Sequence, residues 1–275
     1  MSRMPHDIRA LEQAELEAFI DLYRAASVDV IDAAGLSVAT VEGGVVLAAN
    51  RIDVLALNRA MGLGLTGPVS ATALDNLLGA LARCGSPRFF VPVPPLNGHG
   101  DLARALTARG MRPYNNWIRL SRDVIGIPTP PTTDLDVREI GRASALAYGA
   151  IVSTAFGYPP AVAPLAGQAI SRPGWRHYLA YDGEVPAAAA AMYLAGDTAW
   201  FGFAATDAAY RNRGAQQTLV VRRLQDAADA GCARVSVETA EDGVVKNAPS
   251  FRNLRRLGFE IAYARPNYLW TRTAP

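Results

Sequence analysis

The pattern of apolar and polar positions divides the chain into two halves with a similar order of predicted elements. In the N-terminal half it predicts a helix at residues 11–33 and a hairpin that turns at Gly43-Gly44. A strand at 53–58, a helix at 72–83, a strand at 88–93, a helix at 102–109 and a strand at 117–121 follow.

The C-terminal half repeats this order after residues 128–133 (PTPPTT). The pattern predicts a strand at 135–140, a helix at 142–155, a Pro/Gly loop at 157–174, and a hairpin of 175–181 and 185–194 that turns at Asp182-Gly183. A strand at 198–206, a helix at 216–230, a strand at 232–239, a helix near Pro249 and two closing strands at 260–263 and 267–271 complete the half.

The proline-rich segment marks the predicted domain boundary, because consecutive prolines cannot join a helix or a central strand. We therefore expect two domains, residues 1–127 and residues 128–275. The segments before the last strands of the two halves are similar in sequence, with ALTARGM at 105–111 and NLRRLGF at 253–259. The repeated order of elements and the similar segments indicate a tandem duplication.

Residues 210–216 (YRNRGAQ) join the predicted strand at 198–206 directly to the predicted helix at 216–230. The first backbone N–H groups of a helix have no partner within the helix, and the helix dipole is positive there. Gly214 allows the backbone to approach a ligand closely. The segment therefore predicts a turn that binds a pyrophosphate.

This turn resembles the acyl-coenzyme A loop of the GCN5-related N-acetyltransferases, whose usual form is [RQ]-x-x-G-x-[GA]. Arg211 and Gly214 match that form, whereas Asn212 stands where glycine is frequent and Gln216 replaces the terminal Gly or Ala. Asn tolerates the left-handed backbone conformation better than most residues. Downstream, Asn247 and the pair Gly258-Phe259 follow the predicted strand in the order and spacing of the family.

The resemblance implies acetyl-CoA as the acyl donor and a bulge in the strand before the loop, whose backbone contacts the pantetheine and the thioester oxygen. The residues that it implies for donor binding are Phe203, Ala204, Ala205, Thr206, Arg211, Asn212, Arg213, Gly214, Ala215, Gln216 and Asn247. For the small alanines of the strand, ordinary core packing is an equally good interpretation.

Two residues are candidates for moving protons. Glu238 ends the strand beside the expected gap between the parallel strands, and it could accept the proton of the acceptor ammonium, directly or through water. The usual acid of the family is a Tyr at the position of Leu254, so Ser250, one turn earlier, is the candidate for protonating the departing thiolate. The alternatives are a solvated strand-end carboxylate and a helix-start hydroxyl.

Phe156, Tyr158 and Trp175 are the aromatic residues that the layout of the family places at the acceptor pocket, although they could also anchor the loop to the core. The N-terminal half contains RAMGLG at 59–64, which satisfies R-x-x-G-x-G literally. Residues 65–69 separate it from the next helix, so we expect a degenerate copy that walls the acceptor site and binds no second coenzyme.

Composition narrows the classes of function. The net charge is +2, which disfavours nucleic acid as a partner, and the most apolar run, residues 185–195, is too short for a membrane span. Two cysteines and three histidines show no ligand spacing, so we expect no metal. Without an N-terminal hydrophobic segment, the chain is expected to be cytoplasmic.

These observations predict a mixed α/β protein of two acetyltransferase-like domains, each with a mainly antiparallel sheet, splayed parallel central strands and flanking helices. The predicted activity is acetyl transfer from acetyl-CoA to a primary amine of a small molecule, by direct attack in a ternary complex. A catalytically silent acyl-CoA sensor or scaffold is the alternative, and a transferase acting on charged tRNA is disfavoured by the near-neutral charge. The acceptor, the acyl-chain preference and a homodimeric state stay open.

Overall fold

The computed structural model of the chain describes residues 7–240 and 249–272. Its contacts divide the chain into two compact units. Unit 1 comprises residues 1–118 and 263–275, and unit 2 comprises residues 119–262. Each unit is a mixed sheet with flanking helices, which confirms the predicted fold class.

The N-terminal elements begin with α1 (Ile8–Arg24), α2 (Val28–Ala34) and the hairpin of β1 (Leu36–Val41) and β2 (Gly44–Ala49). They continue with β3 (Arg59–Met61), α3 (Ala71–Cys84), β4 (Arg88–Pro92), α4 (His99–Ala108) and β5 (Arg112–Asp123). In unit 1 the strand order is β1-β2-β3-β4, followed by the last strand of the chain and β5. The pair of β3 and β4 is parallel.

The C-terminal elements begin with β6 (Asp136–Glu139), a 3-10 turn at Arg142–Ser144, α5 (Ala145–Ala155) and α6 (Val162–Ala166). Next come β7 (Trp175–Asp182), β8 (Val185–Ala195), β9 (Thr198–Thr206), a 3-10 turn at Ala208–Tyr210 and α7 (Ala215–Asp229). The last elements are β10 (Arg234–Ala240), α8 (Pro249–Arg256) and β11 (Glu260–Thr271). In unit 2 the strand order is β5-β10-β9-β8-β7-β6, and β9 and β10 are parallel.

The boundary between the units differs from the predicted one at residue 128. Two strands, β5 and β11, each run through a boundary, so that β5 ends in unit 2 and β11 ends in unit 1. Unit 1 therefore contains a strand from the C-terminal end of the chain, paired with β4 in antiparallel register from Asn267↔Pro92 to Thr271↔Arg88. The proline-rich linker gives no sign of this arrangement, because β4 and β11 pair across a long stretch of sequence.

Two other predicted elements were wrong. The helix at 11–33 is two helices, because Ser27 has an extended backbone (φ −67°, ψ 160°) that interrupts the helical hydrogen bonds before α2. The strand at 53–58 is a turn organised by the buried side chain of Asn58. Its amide donates to the carbonyls of Ile52 and Val54, and its oxygen accepts from the backbone of Ala49.

The two predicted closing strands are one strand, β11, because its polar residues are paired rather than solvated. Asn267, which is fully buried, donates to Asn115 at 2.9 Å, and the carbonyl of Pro266 accepts from the Val93 backbone at 2.9 Å. The predicted loop at 157–174 contains α6, which approaches α5 closely at Gly149. A Cβ atom at Gly149 would overlap the carbonyl of Ala163, so the packing of these helices requires glycine there.

A buried ionic network in unit 1 joins α1 to β11. The guanidinium of Arg265, which is fully buried, donates to Glu12 at 2.7 Å and to Glu15 at 2.6 Å. The hydroxyl of Tyr263 donates to Glu12 at 2.5 Å. Glu15 also accepts from Arg59 at 3.1 Å. The two carboxylates are 6% and 1% exposed, so their charges depend on these cationic partners.

We expect Arg265→Ala to lower the free energy of unfolding by about 3–5 kcal/mol, because it removes the cation that the buried carboxylates of Glu12 and Glu15 share. The matched control is Arg88→Ala, which breaks the exposed pair of Arg88 and Asp53 (38% and 53% exposed) and is expected to cost less than about 1 kcal/mol. Urea denaturation measures both variants. Equal, small losses would contradict a stabilising role for the network.

Candidate functional site

The centre of the unit 2 sheet opens where the parallel strands β9 and β10 stop pairing. Their ladder runs from Thr198↔Arg234 to Phe201↔Val237, although β9 continues to Thr206 and β10 to Ala240. Beyond the last pair, β9 remains paired with β8 on its other side. Beyond Phe201 and Val237 the two strands therefore no longer pair with each other, which leaves a gap between them, and Glu238 is the first β10 residue past the ladder.

A β-bulge in β9 lies at this gap. The register with β8 changes from Ala191↔Gly202 to Ala189↔Ala205, so Phe203 and Ala204 together oppose a single residue, Ala190. Phe203 has φ 48°, a conformation that residues other than glycine rarely adopt. A bulge disrupts the regular ladder locally and bends the strand. The bulge that the sequence resemblance implies is present.

The loop after β9 ends directly in the first turn of α7. Asn212 has the left-handed conformation expected for it (φ 64°), and Gly214 precedes the helix with φ 81°. Gly214, the residue before α7, has no side chain that could cap the helix, and Ala215 is buried as its first residue. The first N–H groups of the helix are thus directed at the loop, where an anion could accept from them.

The side chain of Arg213 is committed to two carboxylates. It donates to both oxygens of Asp182 at 2.9 and 3.0 Å and also pairs with Asp134. These hydrogen bonds hold the pKa of Asp134 and of Asp182 below the ordinary value and raise the pKa of Arg213. The Arg213 carbonyl accepts from Thr133 at 2.6 Å. Arg213 therefore shapes the loop, and the exposed cation of the loop is Arg211.

A shallow cavity of about 540 Å³ lies against this loop. It is lined by the loop, the first turn of α7 and the segment before β6, namely Pro131, Thr132, Thr133, Asp134, Asn212, Arg213, Gly214 and Gln217. Gly214 faces the segment closely, because a Cβ atom there would lie 3.5 Å from Pro131 and Thr133. The proline-rich segment of the sequence is thus one wall of the candidate anion site.

Glu238 has a buried cationic neighbour. The guanidinium of Arg119, which is fully buried on β5, lies 3.5 Å from the carboxylate of Glu238, which is 14% exposed. A neighbouring positive charge stabilises the ionised form of a carboxylate, the form that can accept a proton. The sequence did not indicate Arg119, because β5 and β10 are neighbours in the sheet but far apart in the sequence, and no local motif shows that they lie together.

Ser250 is held by the first turn of α7. The side-chain amide of Gln216 donates to the Ser250 hydroxyl at 2.7 Å, and its oxygen accepts from Asn253 at 2.8 Å. Leu254, at the position of the usual Tyr, is only 2% exposed and packs in the core. Asn247 lies outside the described residues. Gln216, the departure from the family motif, is thus the residue that links α7 to α8.

The aromatic candidates for the acceptor pocket occupy different surroundings. Phe156 is 46% exposed and stacks on Tyr158, with ring centroids 5.4 Å apart. Trp175 is 5% exposed and lies in an aromatic cluster with His177, Tyr193 and Trp200. Its burial and these contacts indicate that Trp175 packs in the core. Burial also lowers the pKa of His177 to about 3, so this imidazole is neutral near pH 7.

The second glycine motif, at residues 59–64, has a different geometry. Arg59 lies in β3 and is 2% exposed, with its guanidinium over the rings of Phe19 (4.7 Å) and Trp117 (4.5 Å). The helix that follows, α3, begins only at Ala71 and is capped by the side chain of Ser70. In this motif, therefore, neither the buried Arg59 nor the capped start of α3 is free to bind an anion in the way proposed for the loop before α7.

The structure adds two findings on ligands and membranes. Within residues 7–240 and 249–272, no three His, Cys, Asp or Glu side chains come together as a metal site would require. Among the same residues, no helix is both long and apolar enough to cross a membrane.

Comparison with known proteins finds a family match in one part of the chain. Residues 132–242 match the family model of the acetyltransferase (GNAT) domain. No curated protein matches the chain significantly. The matched segment contains β9, its bulge, the loop, α7 and β10, the elements that build the gap described above.

Solved structures with similar folds extend over more of the chain. A GCN5-related N-acetyltransferase from Kribbella flavida is 18% identical, with 99% of this chain and 98% of that chain covered and a TM-score of 0.67. One from Sphaerobacter thermophilus is 16% identical, with 98% and 95% covered and a TM-score of 0.59. A tandem GNAT protein from the clavulanic acid biosynthesis pathway is 16% identical, with 84% and 80% covered and a TM-score of 0.57.

Proposed function

We propose that this chain, which carries a GNAT acetyltransferase domain over residues 132–242, transfers an acetyl group from acetyl-CoA to a primary amine of a small molecule. The amine attacks the thioester directly, in a ternary complex. The observation that carries the proposal is the combination, within a few residues, of a parallel ladder that ends at Phe201, a bulge at Phe203 and an uncapped helix start at Gly214.

The proposed donor lies along β9. Its pyrophosphate binds at the start of α7, where the N–H groups of Ala215 and Gln216 and the helix dipole favour an anion. Arg211 adds an exposed positive charge. The pantetheine then follows β9 from Thr206 towards Phe203, along the stretch where β9 no longer pairs with β10, and the small side chains of Ala204 and Ala205 leave room for it.

The bulge supports the chemistry of acyl transfer. As the amine attacks, negative charge develops on the thioester oxygen, and a backbone N–H fixed in advance at that point stabilises the transition state. The bulge shifts the backbone at Phe203 and Ala204 out of the regular register with β8, and this backbone is the candidate donor. Positioning of the two substrates supplies much of the remaining acceleration.

Glu238 is the proposed base. It lies at the open end of the ladder, and the guanidinium of Arg119 lies 3.5 Å from its carboxylate. It accepts a proton from the acceptor ammonium, directly or through a water molecule, so that the neutral amine can attack.

Ser250 is the proposed acid for the departing thiolate. Because the Gln216 amide donates to its oxygen, the hydroxyl retains its own proton for another acceptor. The alternative is a binding role, in which Ser250 and Gln216 contact the coenzyme without giving up a proton. Ser250→Ala distinguishes the two, since an acid lowers kcat at constant coenzyme affinity, whereas a binding residue changes the affinity.

We further propose that unit 1 is a degenerate copy that binds no coenzyme, because Arg59 is occupied in the interior and α3 is capped. The stacked and partly exposed pair of Phe156 and Tyr158 is the candidate lining of the acceptor pocket. A panel of primary amines, assayed for released CoA with acetyl-CoA as donor, tests turnover. Coenzyme binding without turnover on any amine would favour the sensor alternative.

Gly214→Asp should weaken acetyl-CoA binding by about tenfold or more, because it sets a carboxylate against the pyrophosphate. The matched control is Gly231→Asp at the other end of α7, where the glycine has the same backbone conformation (φ 82° against 81°). Both variants carry the same backbone strain, and only one faces the ligand. Isothermal titration measures both. Equal acetyl-CoA affinities for the two variants would show that the loop at Gly214 does not bind the coenzyme.

Glu238→Gln should lower kcat/KM at neutral pH by roughly 10²-fold while it leaves coenzyme affinity unchanged, because it keeps the size of the side chain and removes its basicity. The deficit should shrink at high pH, where the amine loses its proton unaided. Glu184→Gln, at a carboxylate that is 88% exposed, is the control and should match the wild type. A Glu238→Gln profile parallel to that of the wild type at every pH would make Glu238 structural.

A further inference from the structure

The indole of Trp200 lies over the backbone of β9 at the point where the gap opens. A Cβ atom at Gly202 would lie 2.7 Å from Cζ2 of Trp200 and closer still to Cη2 and Cζ3. No side chain larger than hydrogen therefore fits at residue 202 while the ring stays in place. The backbone of Gly202 has no positive φ, so it is the ring, rather than a turn, that requires glycine.

The position of the ring along the strand is defined by the ladder. Trp200 pairs with Ser236, one step before the last parallel pair at Phe201 and Val237. Its ring reaches forward over Gly202, which is the first β9 residue beyond that pair. The ring thus lies over β9 at the level where the gap begins, immediately before the bulge at Phe203.

The ring is fixed by its neighbours. Trp200 is 4% exposed, and it meets the ring of Phe203 edge-on at 5.7 Å and that of Trp175 edge-on at 6.3 Å. Edge-to-face contacts of this kind favour one orientation of each ring. A well-packed aromatic ring in a buried cluster does not yield space without cost, because interiors are close-packed.

We propose that Trp200 closes the acyl end of the donor cleft and restricts the enzyme to short acyl groups, with acetyl as the group that fits. This inference rests on the proposed function, since it requires the thioester to lie at the bulge. An acyl chain that continues past the thioester carbon towards the end of the ladder meets the indole face. Each added methylene must then displace the ring or leave the cleft.

The inference assigns different roles to neighbouring residues of one strand. Phe203 and Ala204 hold the thioester through their backbone, whereas Trp200 limits what lies beyond it through its side chain. Gly202 contributes to the same restriction, because it allows the ring to lie over the strand. Trp200 is thus a specificity-determining residue, and its loss should change which acyl-CoA binds while it leaves binding of CoA itself unchanged.

Isothermal titration of CoA, acetyl-CoA, propionyl-CoA, butyryl-CoA and hexanoyl-CoA tests the inference on the full-length protein. For the wild type, we expect affinity to fall by about tenfold for each methylene beyond the limit set by the ring. Trp200→Leu should bring butyryl-CoA to within about threefold of acetyl-CoA, because it removes the closed end. Trp270→Leu, a tryptophan packed on Phe89 in unit 1, is the matched control and should keep wild-type selectivity.

The outcomes separate the inference from the proposed function. A wild type that binds butyryl-CoA or hexanoyl-CoA as tightly as acetyl-CoA, or a Trp200→Leu variant with unchanged selectivity, overturns the inference while CoA binding still supports the function. A wild type that binds no CoA at all overturns both. If Trp200→Leu does not fold, Trp200→Phe decides, because the smaller ring should still raise the relative affinity for butyryl-CoA.

Discussion

The architecture of the candidate site depends on one constraint on β9, which must keep its hydrogen bonds to β8 while it releases β10. The ladder to β10 ends at Phe201, and the bulge that follows places Phe203 in a backbone conformation that costs free energy. The pairing with β8 on both sides of the bulge holds that conformation in place. The gap, the exposed strand edge, the approach to the α7 start and the position of Glu238 all follow from this interruption.

Buried arginines accompany the strands that run through the unit boundaries. In unit 2, β5 brings Arg119 beside Glu238, and in unit 1, β11 brings Arg265 to the buried carboxylates of α1. Each charge is held by a residue distant in the sequence, so the ion pairs form only when the strand is in register. A buried pair adds little net stability, but a missing partner is costly, and the pairs thereby favour one register over others.

The sequence predicted those features that depend on local residues. The hairpins, the strand–turn–helix at Gly214 and the left-handed Asn212 required only turn chemistry and element order. Glu238 was predicted to end its strand, whereas β10 continues to Ala240 and it is the pairing with β9 that ends just before Glu238. The structure differs from the prediction where contacts with residues distant in the sequence determine the local conformation. Asn58 turns a predicted strand into a loop through its side chain, and the carboxylates of Asp134 and Asp182 occupy Arg213. The roles of Arg119 and Trp200 likewise follow from neighbours that no local pattern indicates.

Hydrogen–deuterium exchange with and without acetyl-CoA tests the central claim that the donor binds along β9 and the start of α7. The account predicts that acetyl-CoA slows exchange of backbone amides at residues 202–206 and 211–217, which border the gap and the helix start. It predicts no change at residues 59–71, around the buried Arg59 and the capped start of α3. Slower exchange at residues 59–71, with no change at residues 211–217, would contradict the account.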